Sequence, residues 1–563
     1  MSTAPVPSPT HSPGTAYRAE AVARAERDLT ASTDRYMRLA AHALALAAVR
    51  ELRGTAGRAT GRSVLLLVGG GHNGGDALLA GALLARRGCA VTAALATDHP
   101  HADALQEAGR AGVRPAPDPV AACERAAAGG TALVVDGLTG IGATGPLRAR
   151  AAALVTPLAA AGRRGRRPFR VMAVDLPSGT GVDDGAVAGP VLAADLSVTF
   201  TCLKGAHILP PAVGACGRVE VVDLGLPVPA DPDAVLASRP GDADLGRLLR
   251  VPGDADHKYT RGVVGLWAGS RTYPGAAVLA ASTAVRCGAG MVRLSAPHRV
   301  EDLVLARRPE VVTAPGRCQA LVVGPGTDPT DVVRGAELDA VVVRALDGDG
   351  PDPGAPTDRA PHGPLPAVFD AGALLLLAER LRGGMRCAPV HVLTPHAGEA
   401  AALLTTLGGP TSRARVEAAP AACALELARL TGGTVLLKGA PTLIAVPSAR
   451  ATAASAALVG PGVCAGPRLL SVDAGPGWLA TAGSGDALAG VLGAVLAAAQ
   501  CDAERGGPAV DAPGCAALAV RLHAVAAELA SGLRDAPPGR PLAALDLADH
   551  LPHACAAVGG WAS

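Results

Sequence analysis

From Ser63 onward, short apolar runs alternate with stretches of helical spacing. SVLLLVGGG is followed by a helix over Leu78–Arg87, then AVTAALA, TALVVDG and a helix near Leu147–Ala161, and finally VMAVDLPSG, LSVTFT and RVEVVDLGLP. Near-continuous apolar strands separated by helices predict a parallel sheet covered on both faces. Upstream, Tyr17–Leu52 keeps helical spacing, is interrupted near Thr30–Thr33 and closes at Gly54, which predicts two helices. A second pattern starts at Gly262. VVGLWAGS, a helix over Pro274–Cys287, MVRLSAP, ALVVGPG, PAVFDAG, VHVLTPH, TVLLKGA and TLIAVP read as strands ending in loops, with a long helix at Gly485–Gln500. The expected plan is a disordered tail over 1–16, a first α/β domain over 17–226, a linker over 227–249 and a second α/β domain over 250–563. Arg344–Pro364, rich in Pro, Gly and Asp, reads as a surface insertion or disordered loop.

Composition narrows the function classes. At 563 residues, 49% apolar and 18% charged, the chain has material for several buried cores and no character of disorder. Its 51 basic residues against 49 acidic ones and its 2% aromatic content argue against a nucleic-acid partner. The mean hydropathy of +0.30 comes from alanine. Uncharged runs such as Ala487–Cys501 fall short of the roughly 18 residues of a membrane span, and MSTAPVPSPTHSPGTAY lacks the pattern of a secretory signal. The expectation is a cytoplasmic protein with no membrane partner. Twelve cysteines show no metal-ligand spacing and are expected as buried thiols. Only three lysines occur, Lys204, Lys258 and Lys438, and a single asparagine, Asn73. In a chain that otherwise writes arginine, these mark positions where the residue type matters.

Three loops of the first half follow strands and are rich in glycine. Val64–Gly81 (VLLLVGGGHNGGDALLAG) adds Asn73 and Asp76 to a turn whose amides can face phosphate at a helix start. Val134–Arg148 repeats the form with Asp136, and Val171–Gly185 places Asp175 and Ser178 at a strand end. In an open α/β sheet such strand ends converge on one crevice. Together they resemble the NAD(P)H-hydrate epimerase (YjeF N-terminal) family over about residues 15–226. Its G-x-G-N-N-G-G-D-G loop is matched by Gly69–Ala77, with His72 and Ala77 as departures. Its V-D-I-P-S-G is matched by Val174–Gly179, its A-D-x-T-V-T-F…K-x-G by Ala193–His207, and its M-E-x-A-G helix loosely by Met37–Ala41, with Arg38 in place of the acid. The resemblance implies a Rossmann-like domain interconverting the R and S hydrates of NADH and NADPH at C6. Asp175 would be the acid/base. The hydrate would meet His72, Asn73, Gly74, Gly75, Asp76, Gly140, Ile141, Gly142, Ala143, Thr144, Gly145, Pro146 and Asp175, and Asn73, Asp136 and Ser178 would hold potassium through oxygen.

In the second half, Ala480–Ala497 (ATAGSGDALAGVLGAVLA) makes an amide-lined anion hole at a helix start with Asp486 beside it. Leu436–Thr442 supplies a lysine and a hydroxyl, and Leu393–Leu404 presents His396 and Glu399 at a helix entry. These pieces, with His257–Lys258, Tyr273–Ala276, Gly324–Gly326 and Asp370–Leu374, resemble the ribokinase-like ADP-dependent NAD(P)H-hydrate dehydratase family over about Arg250–Leu533. Tyr259 and Gly372 are the departures. The resemblance implies a second three-layer α/β/α domain in which ADP phosphorylates the C6 hydroxyl of the S hydrate and phosphate then leaves, giving NAD(P)H and AMP. Asp486 would be the base; Ala276, Gly326, His396 and Asp486 would contact the hydrate, Lys438, Gly439, Ala440, Pro441, Thr442 and Gly485 the nucleotide, with magnesium on the phosphates. The small molecules NADHX, NADPHX and ADP are the expected partners, in a homo-oligomer. The rival reading is an ATP-dependent small-molecule kinase fused to a non-catalytic nucleotide-binding regulatory domain.

Overall fold

The computed structural model describes residues 14–30, 33–163, 167–328, 331–347, 364–447 and 468–561. It divides into two compact units, one ending at Ala237 and one beginning at Ser238. In the first, seven parallel strands lie in the order Arg114–Pro115, Ala90–Leu95, Ser63–Val68, Leu133–Gly137, Arg170–Val174, Leu196–Phe200 and Arg218–Val222. Alternation along the central strand sets the layers. Leu66 and Val68 face one core with Leu44, Leu78 and Leu84, which brings the helices Arg35–Ala56 and His72–Arg86 to that face. Leu65 and Leu67 face another core with Cys123, Leu154 and Leu158, from the helices Pro119–Arg125 and Ala149–Arg163. The expected three-layer arrangement is present.

The second unit carries the parallel strands Met291–Ser295, Val263–Trp267, Ala320–Val323, Ala367–Phe369, His391–Leu393 and Thr434–Leu437, extended by an antiparallel meander through Thr442–Val446 and Arg468–Val472. The helix Ser484–Glu504 packs on the helix Pro274–Arg286 so closely that a Cβ at Gly490 would lie 2.2 Å from the Ala280 carbonyl oxygen. Ser484–Glu504 and Ala512–Ala530 are long and apolar enough to cross a membrane, although most of each is buried inside this unit.

Several boundaries differ from expectation. Thr15–Tyr17, in part assigned to the tail, is a buried strand paired in parallel with Leu203–Lys204, because Ala16 and Tyr17 are apolar enough to bury. Residues 1–13 of that tail lie outside the described residues. The expected linker contains a 3-10 turn at Pro232–Ala234, a strand at Val235–Ser238 and a helix at Asp242–Gly246, which bury Ala234, Ala237 and Leu245. Arg344–Asp347, assigned to the insertion, ends the helix Val332–Asp347; 348–363 lies outside the described residues. The first glycine-loop helix begins at His72 rather than Leu78, with Gly71 as its cap, so Gly74 and Gly75 lie in its first turn.

Candidate active sites

In the first unit, Asp175 ends the strand Arg170–Val174 with a left-handed backbone, φ +66°. Its amide donates to Val198 O at 2.8 Å, so it stays tied to the neighbouring strand. Its Oδ1 accepts from Lys204 Nζ at 2.9 Å and from Thr199 Oγ1 at 2.7 Å. Both side-chain bonds fall on Oδ1, which leaves Oδ2 for a ligand in the cavity that Asp175 lines. Burial pushes this carboxyl up, but the Lys204 ammonium, His207 and the Thr199 hydroxyl together outweigh it and hold the group below the usual carboxylate range. Asp76 differs. Burial, reinforced by the Asp175 charge, pushes its carboxyl well up, and its Oδ1 is enclosed without a hydrogen-bond partner among the described residues.

The cavity holds about 190 Å³ and is lined by polar groups of Glu26, His72, Asn73, Asp76, Asp175 and Lys204. Met37, Ala40, Ile141, Phe200, Leu224 and Leu226 form apolar wall. Of the residues expected to meet the hydrate, His72, Asn73, Asp76, Ile141 and Asp175 line it. Gly74 and Gly75 are buried behind them, and Gly142, Thr144, Gly145 and Pro146 lie exposed on the 140–146 loop, with Gly140 and Ala143 partly covered. Arg38 turns to solvent, paired with Asp34 and Glu107.

Asn73, Asp136 and Ser178 are brought together by backbone. Asn73 Nδ2 donates to Thr139 O at 3.0 Å and Val174 O at 2.8 Å, and a Cβ on Gly140 would sit 2.6 Å from Asn73 Oδ1. Asp136, wholly buried, accepts from Ser178 N at 2.9 Å and Ser178 Oγ at 2.7 Å. Burial pushes its carboxyl up, and no basic side chain bonds to it among the described residues. An uncompensated carboxylate among amide and hydroxyl oxygens is a donor set that fits a hard monovalent cation.

In the second unit, Asp486 is the third residue of the helix Ser484–Glu504, whose free amides and dipole favour an anion. A Cβ at Gly485 would meet Lys438 Nζ at 3.5 Å, so the glycine leaves room beside the ammonium. Lys438 Nζ bonds Asp370 Oδ1 at 2.8 Å and lies 3.7 Å from Glu399 Oε2. Burial first, then the Asp370 and Glu399 charges, push the Asp486 carboxyl up to about 6, with Lys438 pulling the other way. Asp370 and Glu399 thus lie at one ammonium with Asp486 close enough to feel all three charges, but among the described residues no group of three His, Cys, Asp or Glu is placed to hold a metal ion.

The other expected residues sort as follows. A Cβ on Gly326 would lie 2.2 Å from Ala276 Cβ, so these two touch. His396 caps its helix, accepting from Gly398 N and Glu399 N, and stays exposed. Thr442 Oγ1 donates to Gly439 O at 3.1 Å across the turn that holds Ala440 and Pro441. Sequence reasoning missed the pairing of Lys204 with Asp175, the cavity position of Glu26 and the tie of His207 to Asp175. The scarcity of lysine was the one signal pointing to the first.

Residues 33–206 match the family described as YjeF-related protein N-terminus, and residues 264–538 match the NAD(P)H-hydrate dehydratase family. The chain is 40% identical, over 96% of its length and 99% of the relative's, to a bifunctional NAD(P)H-hydrate repair enzyme of Mycobacterium leprae (strain TN). It belongs to that family. A bifunctional NAD(P)H-hydrate repair enzyme of Mycobacterium tuberculosis (strain ATCC 25618 / H37Rv) is 41% identical over 85% of this chain and 89% of its own. An NAD(P)H-hydrate epimerase of Microbacterium testaceum (strain StLB037) is 44% identical over 38% of this chain and 78% of its own. As a repair enzyme the chain joins an epimerase to a dehydratase, and the reading as a kinase with a regulatory module is not favoured.

Proposed function

We propose that the first unit interconverts the R and S hydrates at C6 through Asp175, and that the second removes water from the S hydrate through phosphorylation by ADP, with Asp486 as base. The observation that supports this division is the opposite setting of the two carboxyls. Asp175 is held ionised by a buried ammonium, while Asp486 sits near neutrality beside an amide-lined helix start. An ionised Asp175 can take a proton as water is exchanged at C6, with Asn73, Asp76 and Ile141 forming part of the wall against which the ring is held. Potassium held by Asn73, Asp136 and Ser178 would supply a fixed positive charge beside the crevice.

In the second unit, Asp486 takes the C6 hydroxyl proton, the 484–486 amides face the phosphate, and Lys438 and the Gly439–Thr442 turn hold the nucleotide. Phosphate then leaves where hydroxide would not, with a proton lost from the adjacent ring carbon as the double bond of the reduced nicotinamide forms. Magnesium carried on the nucleotide phosphates would neutralise their charge. Ala276, Gly326 and His396 would border the hydrate. The test is Asp486→Asn in single turnover with S hydrate and ADP, and with ATP in parallel. AMP formation should fall by about 10²–10⁴-fold while calorimetric ADP affinity and epimerisation persist. Near-native AMP formation removes Asp486 as the base; faster turnover with ATP removes ADP as the preferred donor.

A further inference from the structure

One short turn grips Asp175 twice. Lys204, at its start, binds the carboxylate, and His207, at its end, reaches the main chain of the same residue. His207 Nδ1 accepts the Lys204 amide at 3.0 Å, so the proton of the neutral ring resides on Nε2, which donates to Asp175 O at 2.8 Å. The ring is 1% exposed. Burial lowers its pKa to about 4, which keeps it neutral.

The bond matters because of where Asp175 stands. With φ at +66°, a region that non-glycine residues rarely occupy, its amide stays bonded to Val198 O while its carbonyl accepts from His207. Such a conformation persists only where its surroundings over-determine it. We propose that His207 is a positioning residue for epimerisation, holding the Asp175 backbone in its left-handed state so that the free carboxylate oxygen faces the cavity. This rests on Asp175 being the acid/base of that reaction. His207 touches no reacting atom; it acts through Asp175.

Two polar replacements separate the ring's bonds. His207→Gln keeps a donor at the Nε2 position, whereas His207→Asn keeps the acceptor for the Lys204 amide and loses the link to Asp175. Epimerisation is followed on the full chain as pure R hydrate approaches equilibrium without ADP, so the second unit stays silent. The urea unfolding of the first unit reports whether each variant remains folded there, and S-hydrate dehydration with ADP does so for the second unit. The expected result is near-native kcat for the Gln variant and a loss of about 10²-fold for Asn at unchanged KM, the scale of a 1 Å misplacement. Equal rates for the two variants overturn the proposal. Asp175→Asn separates the layers: if it is inactive and the His207 variants match, only the positioning role fails, and if it is active the acid/base reading fails with it. Nitrogen-15 NMR of the native imidazole needs no variant. It should show a neutral ring protonated on Nε2, and protonation on Nδ1 overturns the proposal.

Discussion

Asp175 and Asp486 are the same side chain set to different work by their neighbours. Lys204 sits 2.9 Å from the first, fully enclosed with it, so breaking the pair leaves a buried carboxylate uncompensated. Lys204→Met should cost about 3–5 kcal/mol in the unfolding of the first unit and should raise the Asp175 pKa. The sign with pH follows from the lowered folded value. The pair's contribution is present above the unfolded carboxyl pKa of about 3.9 and is lost as pH falls through the folded value. Urea unfolding should therefore show a large gap between variant and native protein at pH 7 that narrows in acid; a gap independent of pH would contradict the pairing. Asp486, pushed up to about 6, must be ionised to act as base. Dehydration should drop to about half its plateau at pH 6 and about a tenth at pH 5, while the Asp175 group stays ionised throughout that window. A flat dehydration profile from pH 7.5 to 5 would remove the base role.

At the scale of elements, the strand ends carry the chemistry and glycine decides how closely they approach. Gly140 lies against the Asn73 amide, and a methyl there would stand 2.6 Å from its oxygen. Gly140→Ala should displace Asn73 from Thr139 O and Val174 O, lowering epimerisation and any potassium dependence while leaving S-hydrate dehydration intact. Parallel loss of both activities would point to unfolding rather than a local site. The strands themselves were legible because they carry unbroken apolar runs, VLLLV in Ser63–Val68 and VLL in Thr434–Leu437, as a sheet covered on both faces requires. The loops after them were legible by glycine and the rare Asn73 and Lys438. What the sequence could not reveal is long-range placement. Asp370 reaches Lys438 across 68 residues, and Lys204 and His207 reach Asp175 across 29 and 32. The meander strand Arg468–Val472, antiparallel to Thr442–Val446, was also missed. The 1–16 tail was overextended because Thr15–Tyr17 is too short to show a period, although its apolar residues are buried.

At the scale of the whole molecule, one chain carries a site for exchanging epimers and a site for consuming one of them. The residue sets proposed for the two chemistries are each internal to one unit: Asp175, Lys204 and Asn73 before Ala237, and Asp370, Lys438 and Asp486 after Ser238. If the hydrate passes between the two reactions through solution, the two activities can be supplied by different molecules. Asp175→Asn full-length protein should then consume S hydrate and stall on R, while Asp486→Asn protein should interconvert the two without forming NAD(P)H. Mixing the two variants with ADP and magnesium should restore complete conversion of an R/S mixture, followed as the near-ultraviolet absorbance of reduced nicotinamide. The restored rate should rise in proportion to whichever variant is limiting, as expected for a freely diffusing intermediate. A mixture that stalls with R hydrate remaining, although each variant keeps its own half-reaction, would show instead that the hydrate must be handed over within a single chain.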